Sequence, residues 1–196
     1  SQGHSQVVLG QGPHYLFQGV PEENPGAVEF FQKRGYQAAW SSVNMRLDLA
    51  GYDPGQVDIP PVPEGVAFRL LETGEEPALL AAVEDAQPAW LEFYQRCPSP
   101  ILVAAEQGQL VGFAMVPPEG GRFLGDVEKP GSLECVGVVK SHRNRGIGMG
   151  MVLAGIRWLK EQGCGSIELR YVALEDWYHK VGFCTFQRMW MGEKSL

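Results

Sequence analysis

Apolar positions along the chain follow two rhythms, and the changes between them mark out a succession of strands and helices. Val66–Leu71 (VAFRLL) predicts a strand, and Glu75–Ala86 sets Leu79, Leu80 and Val83 at helical spacing. Ala89–Arg96 predicts a second short helix. Ile101–Glu106 and Gln109–Val116 are apolar strands on either side of Gln107-Gly108, a hairpin signal. Pro117–Gly131, rich in Gly and Pro, reads as a loop, and Ser132–Val139 as the next strand. Gly146–Gln162 predicts the longest helix, with Val152, Leu153, Ile156 and Leu159 on one stripe and Gly163 as its C-cap. Ser166–Val172 (strand), Leu174–Lys180 (short helix) and Cys184–Met191 (strand) follow. The order β-α-α-β-β-β-α-β-α-β predicts an α/β (α+β) fold, a mixed sheet covered by helices.

Residues 51–64 read as a linker, because Gly51 to Gly65 holds four prolines and three glycines, too many for a helix or an inner strand. On this reading 65–196 is a complete domain. The first fifty residues hold a partial repeat: Val28–Tyr36 aligns with Glu175–Phe183, each a short helix ending near a Gly-aromatic pair and leading into an apolar strand, Val43–Leu49 in the first. Val7–Leu9 would match Ile167–Leu169, so residues 1–50 resemble the back half of a second copy. The other reading is that one helix–Gly–strand connector resembles any other.

Composition narrows the field of functions. In 196 residues, 44% hydrophobic and 20% charged are ordinary globular values. A formal net charge of −7 argues against a nucleic-acid partner, which needs a basic face, and mildly favours a cationic substrate. No stretch approaches the roughly 18 apolar residues of a membrane span. The opening SQGHSQVVLG has no initiator Met and no basic segment before an apolar run, so no signal peptide is expected. Cys97, Cys135, Cys164 and Cys184 form no CxxC, and His4, His14, His142 and His179 show no ligand spacing, so no metal is expected. Reduced, mostly buried thiols in a cytoplasmic protein are the plain expectation.

Candidate chemistry concentrates at Arg143-Asn-Arg-Gly146-Ile-Gly148, between a strand and the long helix. Such a corner presents main-chain N–H groups at the positive end of the helix dipole, a setting for a phosphate. The glycines let a ligand approach the backbone, and Lys140, His142, Arg143 and Arg145 add local positive charge. The other reading is an exposed basic turn. Neither the P-loop pattern nor the GxGxxG dinucleotide fingerprint fits, since the spacing here is Gly146-x-Gly148-x-Gly150.

Val136-x-Val138, Arg143-x-x-Gly146-x-Gly148, the long helix and then Trp177-Tyr178-x-Lys180-x-Gly182-Phe183 together resemble the GNAT superfamily of N-acetyltransferases, over residues 65–196. The resemblance implies a mixed, mostly antiparallel central sheet with a splayed parallel pair. It implies acetyl-CoA (coenzyme A) as cofactor and an amine of a small molecule or peptide as acceptor. The amides of Arg143, Asn144, Arg145, Gly146, Ile147, Gly148 and Met149 would hold the pyrophosphate. The strand at Val136, Val138 and Val139 would bond the pantetheine arm, with an N–H near Val138 polarising the thioester carbonyl. Tyr178 takes the position of the family's general acid.

Two departures accompany the match. The family often has an Asn before the tyrosine helix, and Tyr171–Trp177 lacks it. In the first repeat Phe31 stands where Tyr178 does and no RxxGxG precedes it, although Asn24 is retained. Glu134 is the candidate base, because its four-residue distance from Val138 puts both on one strand face; as an exposed strand glutamate it would equally need no explanation. Trp90, Phe93 and Tyr94 either line the acceptor pocket or belong to the core. Tyr178 itself has an alternative reading, ring in the core and hydroxyl in water. Two other functions stay open beside the enzyme: a non-catalytic acyl-CoA-binding sensor or regulatory module, and a structural partner-binding module. The acceptor, the acyl length and the assembly, a homodimer included, are not fixed by the residues.

Overall fold

The strands and helices expected beyond residue 65 form, one strand as two, in the computed structural model, which describes residues 5–10, 18–97, 99–120 and 130–196. The middle of the expected loop, 121–129, lies outside the described residues. The elements are β1 (Gln6–Val8), β2 (Val20–Pro21), α1 (Pro25–Gln32), β3 (Gln37–Asp48), β4 (Val66–Leu70), α2 (Glu76–Ala86), α3 (Leu91–Gln95), β5 (Ile101–Glu106), β6 (Gln109–Met115), β7 (Gly131–Ser132), β8 (Glu134–Val138), α4 (Ile147–Glu161), β9 (Ser166–Val172), α5 (Glu175–His179) and β10 (Cys184–Ser195). They divide into two compact units, Ser1–Arg46 with Leu169–Leu196, and Leu47–Glu168. The division therefore does not fall at the expected 51–64 linker. The C-terminal strands cluster with the first forty-six residues because β3 pairs with β10 from Arg46↔Cys184 to Gln37↔Glu193.

The Leu47–Glu168 unit is built on an antiparallel sheet in the order β4-β5-β6-β8. Gln107 and Gly108 close the β5–β6 hairpin, both at positive φ as the expected two-residue turn requires. One face packs α2 and α3 around Leu79, Val83, Tyr94, Val103, Phe113 and Met115. The opposite face takes α4, which buries Ile147, Met151, Val152, Leu153, Ile156 and Leu159. Burying each such side chain contributes about 1.5–3 kcal/mol, enough to fix the helix whose start matters most here.

The expected Ser132–Val139 strand is two strands. Gly131 and Ser132 pair in parallel with Ile167 and Glu168, whereas Glu134–Val138 pair antiparallel with β6. The chain changes partners at buried Leu133, so β8 runs on as the edge of its sheet.

Residues 52–62 form a strap along α4 rather than a free linker. The Tyr52 carbonyl accepts from Lys160 Nζ at 2.7 Å near the helix end, and Val62 lies against Gly150 near its start. A fifteen-residue helix is about 22 Å long, which ten residues of extended chain easily span.

In the other unit the sheet order is β1-β10-β3-β9, with β2 also paired to β10. Two register shifts interrupt the β3–β10 ladder, the first leaving Phe186 as an extra residue on β10. Among the described residues no helix is long and apolar enough to cross a membrane. All four cysteines are free; three are half-buried and Cys184 is exposed, so the thiols are less buried than expected.

Candidate functional site

The chain leaves β8 at Val138, makes a single helical turn at Lys140–His142 and enters α4 through Asn144 and Gly146, both at positive φ (61° and 78°). Only glycine fits at 146: a side-chain carbon there would sit 2.7 Å from the Pro61 carbonyl oxygen of the strap, besides the backbone strain. The Gly150 N–H closes the first helical bond to the Gly146 carbonyl at 3.0 Å. Among the described residues, the amides of Asn144, Arg145 and Gly146 donate to no carbonyl, and Ile147, Gly148 and Met149 are the first-turn amides that a helix leaves unpaired. Positive φ at Asn144 and Gly146, on either side of Arg145, turns successive N–H groups toward one concavity, a shape that fits an anion. Ile147 and Met149 bury their side chains, so they can contribute main chain alone.

The cations at this corner are largely committed. Arg145 donates two bonds to Glu106, at 2.7 and 3.0 Å, and His142 Nε2 stands 3.1 Å from the same carboxylate. The hydrogen bonds from Arg145 hold the Glu106 carboxyl below its ordinary range. Arg143 donates to the carbonyls of Ala86 (2.9 Å) and Val138 (3.2 Å), and Asp85 accepts from the Lys140 amide at 2.7 Å. The positive field read from four neighbouring cations is thus smaller than their number, and two of them brace the turn against α2, β5 and β8. Of the four, Lys140 and Arg143 are exposed, and Arg143 is held by the two carbonyls.

Just past β8, Val139 donates to the Val111 carbonyl at 3.0 Å and accepts from the His142 amide at 2.9 Å. Both its main-chain groups are taken, which removes it from the expected pantetheine contacts. By strand alternation Val136 and Val138 aim their N–H groups away from β6, toward the sheet's open edge. A bulge missed by sequence reasoning shapes this edge: Phe113 pairs with Gly137 but Met115 with Glu134, and Cys135 takes φ 49°. The buried Tyr94 hydroxyl donates to the Cys135 carbonyl at 2.8 Å, and burial pushes its phenol well above the ordinary value. Tyr94 is therefore core, with Trp90 and Phe93 packed against the same cluster. The Phe113 ring covers Gly137, where an added carbon would sit 2.3 Å from it.

Glu134 is half-buried at the start of β8, its Oε1 3.0 Å from Ser132 Oγ. That hydroxyl also stands 3.2 Å from the Glu168 carbonyl, and its one proton serves either. Glu134, Val136, Val138 and Arg143–Met149 thus lie together in the Leu47–Glu168 unit. Tyr178 belongs to the other unit, on α5, its ring edge-on to Trp177 (4.8 Å) and Phe183 (5.8 Å).

The profile of the Acetyltransferase (GNAT) family matches residues 65–183. A mycothiol acetyltransferase of Amycolatopsis mediterranei (strain U-32) is 25% identical over 189 residues, covering 82% of this chain and 59% of that protein. Among solved structures, a GCN5-related glucosamine N-acetyltransferase region of a fungal multi-domain GH3 beta-N-acetylglucosaminidase superposes with a TM-score of 0.77 at 23% identity, over 96% of this chain and 25% of that one. A GCN5-related N-acetyltransferase from Sphaerobacter thermophilus gives 0.70 at 22%, over 90% of this chain and 58% of that one. The chain spans less than two thirds of each of these relatives.

Proposed function

We propose that this chain, which belongs to the GNAT acetyltransferase family, transfers an acetyl group from acetyl-CoA to an amine of a small molecule or peptide. The observation that carries this reading is the set of unclaimed main-chain donors at the head of α4, beside an edge strand whose Val138 N–H faces away from its own sheet. Arg143–Met149 hold the pyrophosphate through the backbone, with Arg143 and Arg145 bracing the turn. Val136 and Val138 bond the pantetheine arm, and the Val138 N–H polarises the thioester carbonyl.

The chemistry then asks for alignment, removal of a proton from the amine and support of the leaving thiolate. Glu134 takes the amine proton. Tyr178 donates a hydrogen bond to the developing thiolate. Full proton transfer from a phenol of pKa about 10 to a thiol of about 8.5 is uphill by roughly 2 kcal/mol, so a shared hydrogen bond suffices. Residues 1–50 are the back half of a second such copy, a reading supported by the matching backbone bonds of the two helix–glycine corners. Free half-buried thiols suit a cytoplasmic setting.

The experiment removes the diphosphate rather than a residue. Coenzyme A should raise the melting temperature, and pantetheine at the same concentration should not. Equal shifts from both would detach the α4 corner from cofactor binding. Acetyl transfer is then followed as thiol release over a panel of amines, where binding without turnover on any of them would favour the sensor reading.

A further inference from the structure

In the unit that holds the two end segments, Trp40, Ser42, Asn44 and Arg46 share one face of β3. Both Asn44 amide protons are spent, on Gln187 Oε1 at 2.9 Å and Gln18 Oε1 at 3.2 Å. Its Oδ1 has no partner, nor has Ser42 Oγ or Trp40 Nε1, although Asn44 is 0% and Ser42 1% exposed. Buried polar groups are nearly always bonded, so three orphans in a row along one strand face call for an explanation.

The next position on that face carries charge. Arg46 Cζ lies 5.5 Å from the centre of the Phe186 ring, and Arg170 Cζ lies 5.1 Å from the same centre. The three residues sit on the adjacent strands β3, β10 and β9, with Phe186 thrust out by its bulge and 45% exposed. Two guanidiniums gathered about one ring concentrate positive charge on a chain whose net charge is −7. We propose that this face of β3 binds a small molecule carrying an acid group, seated against Arg46 and Arg170 beside Phe186, whose body hydrogen-bonds inward to Asn44 and Ser42.

The donors and acceptors define the ligand's chemistry. Guanidiniums select a carboxylate or phosphate, often in bidentate geometry. Asn44 Oδ1 accepts from an N–H or O–H, and Ser42 Oγ serves in either sense. Same-face residues repeat every 6.6–6.8 Å or so along a strand, so Ser42 to Arg46 spans roughly 13 Å, the reach of an elongated molecule rather than a bare ion. Gln18 and Gln187, both half-buried, are the groups that give up their bonds to Asn44 as the ligand enters.

The test uses the whole chain and hippurate, which joins a carboxylate to an amide N–H, with hippuramide as its uncharged twin and inorganic phosphate as the bare anion. Titrations run with and without saturating coenzyme A, so that an anion held at the head of α4 is not counted. Hippurate should bind in both conditions, about tenfold tighter than hippuramide or phosphate, and Arg46→Gln and Arg170→Gln should each weaken it about tenfold. Ser42→Ala should weaken hippurate while leaving the melting temperature equal or higher, since it deletes an unbonded buried hydroxyl. No binding of hippurate at millimolar concentration, equal binding of its amide, or indifference to both arginine variants overturns the proposal. Phosphate binding as tightly as hippurate overturns its inward half. None of these outcomes depends on whether coenzyme A binds, so the acetyltransferase reading stands or falls separately.

Discussion

The corner that joins α1 to β3 and the corner that joins α5 to β10 follow the same main-chain plan. The Tyr36 amide donates to the Phe31 carbonyl at 3.2 Å, and the Phe183 amide to the Tyr178 carbonyl at 3.3 Å. Gly35 and Gly182, at φ 84° and 95°, each donate at 3.0 Å to the residue three before them, Gln32 and His179. In both an aromatic pair five residues apart meets edge-on at 81°, Phe31 with Tyr36 and Tyr178 with Phe183. The tethers differ. Asn24 caps α1 by accepting from the Ala27 amide, which spends the asparagine retained in the repeat, while Leu174 opens α5 with no side-chain cap. Glu175 ties α5 to Thr185 and Arg188 on β10, and the matching position in the first corner is Val28. Since the first corner keeps its shape with Phe31, the second does not need a phenol to fold.

The severest way to break the comparison is to remove one member. Deleting residues 1–50 takes β3 from between β9 and β10 and leaves an unpaired edge on each. The remaining 51–196 should lose its cooperative unfolding transition in denaturant, and a sharp transition would mean that the part holding the matched family region stands alone. Next comes the phenol. Tyr178→Phe makes the two corners alike, and turnover should fall about a hundredfold with the coenzyme A thermal shift unchanged; Phe31→Tyr, with no phosphate loop before it, should alter neither.

Smaller effects test the shared backbone. Gly35→Ala and Gly182→Ala should each cost about 1–2 kcal/mol, because both positions are left-handed. At Gly35 the added carbon meets Lys194 only at ordinary contact distance, so strain alone is measured there. Clearly unequal losses would end the equivalence. Smallest is the tether: Glu175→Gln should cost about 0.5 kcal/mol at pH 7. The hydroxyl of Thr185 and then Arg188 lower the Glu175 pKa from 4.5, so its contribution is present above that value and fades as pH falls through the depressed one. Melting curves of the two proteins should draw together as pH falls below 4.5 and meet once it is below the depressed value, and a gap that does not narrow would assign the loss to packing instead.

What the residues revealed in advance was local. RNRGIG before a periodic apolar run marks the α4 corner, and Gln107-Gly108 marks the hairpin, because each is decided by its own backbone needs. What they concealed depends on distant partners. Nothing in Glu134-Cys-Val-Gly-Val138 announces a left-handed Cys135; Tyr94, forty-one residues away, bonds its carbonyl, and Phe113 fills the space over Gly137. Arg145 looked like free charge because Glu106 is thirty-nine residues distant. Prolines in 51–64 say which structures cannot form, and are silent on the helix they lie along.

The seat of β3 between β9 and β10 also sets a timetable for the ribosome. β3 ends at Asp48 and β10 begins at Cys184, so its neighbours leave the exit tunnel roughly 7–30 s later at 5–20 residues per second. For that interval a twelve-residue strand carrying Val43, Met45 and Leu47 waits with both edges open. A chaperone that shields extended apolar segments has its moment in that interval.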